Sequence, residues 1–112
     1  MRTYIFLLRN TAEGAKGMLA SGRSGAVIQA RVVDELGGRL VGQWAVTGRF
    51  DAVLVAELPD DAAAAMMTLA ATSAGQYVEL LNALDPGVID TARDLYDQTV
   101  AALTEESAGE SR

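Results

Sequence analysis

Thr47-Gly48-Arg49-Phe50-Asp51 separates two runs of strand character, Arg39–Val46 and Ala52–Leu58. A connection this short brings the second run back antiparallel to the first, so the middle of the chain is a hairpin and the rest is built around it. Tyr4-Ile5-Phe6-Leu7-Leu8 is a continuous apolar run, aromatic and branched, that suits a strand paired on both sides. Gln76–Leu84 reads as a fourth strand.

The segments between the strands are helical or glycine-rich. Residues 14–25 hold Gly14, Gly17, Gly22 and Gly25, a density that predicts a short turn and a loop rather than a long helix. From Ala26 the period changes: Ala26, Ala30, Val33 and Leu36 recur at helical spacing, and Gly37-Gly38 ends the helix. Pro59 stops the third strand, Asp60 or Asp61 caps a helix from Ala62 to about Thr72, and Gly75 closes it. Asp85-Pro86 then opens an amphipathic helix at about 88–104, carrying Ile89, Ala92, Leu95, Tyr96, Thr99, Val100 and Leu103. Residues 105–112 are small, polar and charged, and read as a disordered tail. The expected organisation is a single domain over 1–104, with its core at 3–86 and an added C-terminal helix.

Strand, helix, strand, strand, helix, strand, with right-handed crossovers, gives a ferredoxin-like α+β fold: a four-stranded antiparallel sheet of order 4-1-3-2. Both helices then pack on one face. Strand 3 carries Val53 and Val55 at one parity and Ala52, Leu54 and Ala56 at the other, so both sheet faces call for cover. A second copy is the simplest cover, and the expectation is a homodimer closed sheet to sheet into a dimeric α+β barrel.

Several of these segments carry a resemblance. Thr3-Tyr4-Ile5-Phe6-Leu7-Leu8, Thr11 and Gly14, Glu35-Leu36-Gly37-Gly38-Arg39-Leu40, Gly48-Arg49-Phe50-Asp51 and Pro59-Asp60-Asp61 follow one another as in the GYD-domain family, which the chain resembles over roughly residues 3–86. Phe50 stands where that family more often has tyrosine, so no phenol is available there. The glycine-rich stretch at 14–25 and the helix after Pro86 depart from the pattern. The resemblance implies a dimeric α+β barrel-like protein and no settled activity.

Composition removes whole classes of chemistry. With no histidine and no cysteine there is no imidazole base, no histidine-ligated haem, no thiolate metal site and no disulfide. No acidic spacing matches a calcium loop, and the reading expects neither metal nor cofactor. The net charge of −6 is concentrated at the end: residues 1–84 carry eight acidic and seven basic side chains, and residues 85–112 seven and two. Without a basic stripe, nucleic acid is not an expected partner. No apolar run reaches the length of about 18 that spans a membrane, and no signal-peptide pattern opens the chain, so a cytoplasmic location without membrane attachment is expected.

Carboxylates are what remains as general bases, with Tyr4, Tyr77 and Lys16 as weaker acid–base candidates. In the 4-1-3-2 sheet, one edge gathers Arg9, Thr11, Thr47, Arg49, Asp51 and Tyr77, with Arg9 and Asp51 on adjacent strands and able to pair. Asp51 is the candidate base or anchor, and Arg9 and Arg49 are candidates to steady negative charge. Tyr4, Phe6 and Trp44 are candidate walls of an apolar cavity, with Thr11, Thr47 and Tyr77 at its polar mouth. Met18, Met66 and Met67 suit either core or an adaptable pocket. Ser21-Gly22-Arg23-Ser24-Gly25-Ala26 could cradle an anion but lacks phosphate-loop spacing. Asp51 as a hairpin-stabilising residue and Trp44 as core filler are the plain alternatives.

Two functions stay open. One is a dimeric barrel that binds a small, largely apolar molecule and acts on it without cofactor by carboxylate proton transfer, as an isomerase, cyclase or oxygenase. The other is a non-catalytic interaction or regulatory module that docks a partner through its acidic C-terminal helix. A closed apolar pocket favours the first; a solid core with an exposed apolar stripe on the last helix favours the second.

Overall fold

The chain places four strands and four helices in the order β1 (Arg2–Asn10), α1 (Ala12–Ser21), α2 (Ala26–Glu35), β2 (Arg39–Ala45), β3 (Ala52–Leu58), α3 (Asp61–Ser73), β4 (Gln76–Ala83) and α4 (Gly87–Glu110). These come from a computed structural model that describes residues 1–22 and 25–110, with side chains as far as residue 107. The anion-cradle reading rested partly on Arg23 and Ser24, which lie outside the described residues.

All pairings are antiparallel and the sheet order is β2-β3-β1-β4, which from the β4 edge reads 4-1-3-2. Parity decides where each side chain goes. Tyr4, Phe6 and Leu8 of β1 and Leu54, Ala56 and Leu58 of β3 are buried on one face, where Val33 of α2 and Ala63, Ala64 and Met67 of α3 meet them. Alanines at 63 and 64 keep the α3 surface thin, so the helix lies close on the sheet. Asp60, not Asp61, caps α3: its Oδ1 accepts the Ala63 N–H at 2.9 Å. The opposite parity, including Ile5, Leu7, Val53 and Val55, is only half-buried and, among the described residues, has no helix over it.

β2 joins this pattern through an irregularity between Leu40 and Gly42, where Val41 is the extra residue. Beyond it Gln43 pairs with Leu54 on the helix face and Trp44 pairs with Val53 on the open face. The Trp44 ring lies against Gly42, where a Cβ would overlap it.

Two expectations are corrected. Residues 12–21 form a regular helix, not a turn and loop. Local anchors offset the low helix propensity of its glycines. Thr11 caps it, accepting the Gly14 N–H at 3.1 Å, and the same hydroxyl donates to the Gly75 carbonyl at 2.6 Å. Gly14 then sits directly on Gly75, so close that a Cβ at position 14 would overlap the Gly75 carbonyl oxygen. The last helix is also longer than expected, reaching Glu110 rather than ending near 104. From Ala101 to Glu106 the backbone meets mostly good helix formers and no glycine or proline, so nothing in the covalent chain stops it there. Every residue from 84 to 107 is exposed, and α4 gives the molecule its extents of 73 × 29 × 23 Å.

The two α1 glycines are expected to respond oppositely. Gly14→Ala drives a methyl into Gly75 and should lower thermal stability by about 1–3 kcal/mol. Gly17→Ala meets nothing within 4 Å and should raise stability by up to about 1 kcal/mol. Thermal unfolding of both variants checks this; stabilisation by Gly14→Ala would contradict the close contact.

Candidate functional site

The helix side of the sheet is not completely filled. Between the sheet and α1, α2 and α3 lies a cavity of about 290 Å³. Its floor is Phe6, Leu8 and Leu54, with Asn10 and Gln76 at one end. Gly14, Gly17, Met18 and Ser21 of α1, Ile28, Gln29 and Val32 of α2, and Met67, Ala70, Ala71 and Ala74 of α3 supply the walls. Met18, Ser21, Gly25 and Ile28 are exposed, so the cavity opens to solvent at the α1–α2 side. The local sequence explains the space. Gly14 and Gly17 put no side chain toward the sheet, and α1 contributes no buried residue. Alanines 70, 71 and 74 keep the facing surface of α3 shallow.

None of the described lining residues carries a charge. The polar groups are mainly three primary amides joined in a chain. Gln29 Nε2 donates to Gln76 Oε1 at 3.2 Å, and Gln76 Nε2 donates to Asn10 Oδ1 at 3.3 Å. Asn10 and Gln76 are opposite one another in the β1–β4 register, so two of the three are held by paired strands.

The residues expected to form one site are divided by the sheet. Phe6 lines the cavity. Tyr4 is buried beside it in the core, and its hydroxyl donates to Asp61 Oδ1, away from the cavity lining. That bond, together with burial, raises the Tyr4 phenol above its ordinary 10.0. Trp44 is on the opposite face, 53% exposed, so it does not wall one cavity with Tyr4 and Phe6 in this chain. Arg9 and Asp51 do not pair. The Arg9 guanidinium lies 4.8 Å from the centre of the Tyr77 ring on the open face, because position 9 has the outward parity of β1. The Asp51 carboxylate accepts the Asn10 N–H at 2.8 Å, while the Asp51 N–H donates to the Leu8 carbonyl at 2.8 Å. Asp51 thus extends the β1–β3 ladder past its last pair. Arg49 reaches across to Glu79 at 3.2 Å and lies over Phe50 at 5.4 Å. Tyr77 Oη meets the same Glu79 oxygen at a long 3.4 Å. Thr11 is the α1 cap, and Thr47 is exposed in the β2–β3 connection. Of the methionines, Met18 and Met67 line the cavity, while Met66 points out, 44% exposed.

The open face has its own polar ends. At one, Arg39 holds Glu57 by two bonds of 3.0 Å, which lowers the Glu57 carboxyl below its ordinary 4.5. At the other are Arg9, Tyr77, Arg49 and Glu79. Among the described residues no group of three or more acidic side chains could hold a metal ion, and no helix is long and apolar enough to cross a membrane.

Asn10, Gln29, Gln76 and Gly17 were not among the candidates. Parity holds the missing signal for two of them: Asn10 follows Leu8, and Gln76 precedes Val78, on the inward-facing positions. A polar residue on an apolar parity needs a partner.

The GYD-domain family model matches residues 4–92, from β1 into the first turns of α4, and the chain belongs to that family. No curated protein and no solved structure matches the chain.

Asp51→Ala strips the acceptor from the Asn10 N–H and should cost about 1 kcal/mol, while Asp51→Asn keeps an acceptor oxygen and should cost less. Equal losses in thermal unfolding would assign the effect to charge instead. Because the folded state lowers the Glu57 pKa, the Arg39–Glu57 contribution is present above 4.5 and is lost as pH falls through the folded value. The acid loss of stability should therefore be shallower in Arg39→Gln than in the wild type; an unchanged acid limb would remove Glu57 from the account.

Proposed function

We propose that this GYD-domain protein works as a homodimer that binds a small, largely apolar molecule in the helix-side cavity. The observation that carries the reading is the cavity itself: about 290 Å³, apolar but for a few polar groups, and open at one side. It lies just below the range of about 300–1,000 Å³ typical of small-molecule sites. Binding, rather than chemistry, is the part of the reading the geometry supports best. Cofactor-free proton transfer would need a base at the ligand. Asp51, Arg9 and Arg49 do not line the cavity, and the Asp51 carboxylate is already engaged by the backbone.

The dimer reading rests on the open sheet face. Its centre is Ile5, Leu7, Val53, Val55, Leu81 and the exposed ring of Trp44, and its ends are the Arg39–Glu57 and Arg49–Glu79 pairs. An apolar centre with a polar rim is how association surfaces are built. A second copy packed there would leave the helix-side cavity of each protomer untouched.

A second reading rests on α4, whose Ile89, Leu95, Tyr96 and Leu103 are each 58–68% exposed. Such a stripe on an acidic helix is a surface for a partner. If that partner is a different protein, replacing Leu95 and Tyr96 with serine leaves the dimer's stability unchanged; if α4 packs on the second copy, the dimer weakens.

Trp44 is the chain's single tryptophan and reports directly on the open face. Its emission should be blue-shifted in the dimer and move to the red in Val55→Asp, with sedimentation showing a monomer. A water-exposed spectrum in the wild type that Val55→Asp leaves unchanged would remove the sheet-to-sheet interface. For the cavity, Gly17→Leu should fill the space beside Met18 and abolish the rise in melting temperature that apolar ligands give the wild type. An undiminished rise would place binding elsewhere.

A further inference from the structure

We propose that the molecule this cavity takes is uncharged and carries one hydrogen-bonding oxygen, a carbonyl or a hydroxyl, read by the amide chain Asn10–Gln76–Gln29. The inference rests on the cavity reading above and adds the ligand's chemical class. Gln76 is engaged at both its amide oxygen and its amide nitrogen. The two ends of the chain are not: Asn10 keeps its NH₂ and Gln29 its carbonyl oxygen without a side-chain or backbone partner among the described residues. No buried side-chain nitrogen or oxygen among those residues is left unpaired, so these ends are not sealed in the core and remain accessible.

A chain of primary amides is directional but reversible. Turning all three over keeps both internal bonds and exchanges the ends, so that Gln29 then presents NH₂ and Asn10 presents oxygen. One arrangement gives a ligand carbonyl a donor at Asn10; the other gives a ligand hydroxyl an acceptor there. In either arrangement the opposite amide, Gln29, keeps its polar end at the cavity wall. The site therefore reads the presence of one polar oxygen with little regard to whether it donates or accepts.

Charge is treated differently. Phe6, Leu8, Val32, Leu54 and Met67 line the cavity together with the amides, and no described lining residue offers a counter-charge. A carboxylate or ammonium entering would lose its hydration for amide contacts alone, a cost the cavity does not return. The volume of about 290 Å³ is about twice the ~150 Å³ of an apolar cavity that admits benzene, which suits a two-ring skeleton.

The test is a matched series on the full chain: naphthalene, 1-tetralone, 2-naphthol and 2-naphthoate, measured by calorimetry against the wild type and Gln76→Met. The ketone and the alcohol should bind about tenfold or more tighter than the hydrocarbon, the carboxylate should bind weakest, and Gln76→Met, which removes the partner that orients the Asn10 amide, should narrow the gap between ketone and hydrocarbon. If Gln76→Met does not fold, the carbonyl stretch of bound 1-tetralone in the wild type decides the point: a shift to lower frequency than in hexane supports a hydrogen bond to the amides, and no shift overturns it. Equal binding of hydrocarbon, ketone and alcohol would overturn the role of the amides while leaving the cavity reading intact. Preference for the carboxylate would overturn the neutral class. Failure of all four to bind would bring down the cavity reading itself.

Discussion

β1 is hydrogen-bonded on both sides, to β3 and to β4, and its side chains alternate between two unlike environments. The layering of the sheet and the helices packed on it follows from that alternation. Tyr4, Phe6 and Leu8 go down to the helices and make the core with Leu54, Ala56 and Leu58. Ile5, Leu7 and Arg9 go up to a face no helix covers. A slip of one residue in register would exchange the two sets and put Arg9 among the alanines of α3. Asp51, bonded to the Asn10 and Leu8 backbones at the strand's end, ties the β3 side of that register down.

Much of the fold was legible because the signals were local. The hairpin around Gly48, a cap at Asp60 or Asp61 and the end of α2 at Gly37 each depend on a few adjacent residues. Gly37, for example, adopts φ +75°. What was not legible depends on contacts between distant segments. Counting glycines argued against α1, yet Gly14 is there because Gly75 presses against it, sixty-one positions away. The face of Trp44 could not be read from parity alone, since the irregularity at Val41 intervenes. The Arg9–Asp51 pairing looked plausible from strand adjacency, but position 9 points to the open face while Asp51 closes the ladder on its own backbone.

The candidate site shows the same division. Phe6 and Met67 were visible as apolar residues at core spacing. The amides were harder to see, because glutamine and asparagine at strand ends ordinarily face water. Only the register that sets Asn10 opposite Gln76, and the helix that brings Gln29 over them, makes the three a unit. The sheet thereby separates two roles. Its helix face holds a cavity whose described lining carries no charge, and its open face carries an apolar centre with charged ends.

That separation is the central claim, and methyl-resolved NMR of the full chain titrated with a small uncharged apolar ketone tests it most directly. The account predicts saturable shifts at Leu8, Val32, Leu54 and Met67, on the cavity side, with Ile5, Val53 and Val55 unmoved. Shifts confined to Ile5, Val53 and Val55, or a spectrum that does not respond at all, would contradict it.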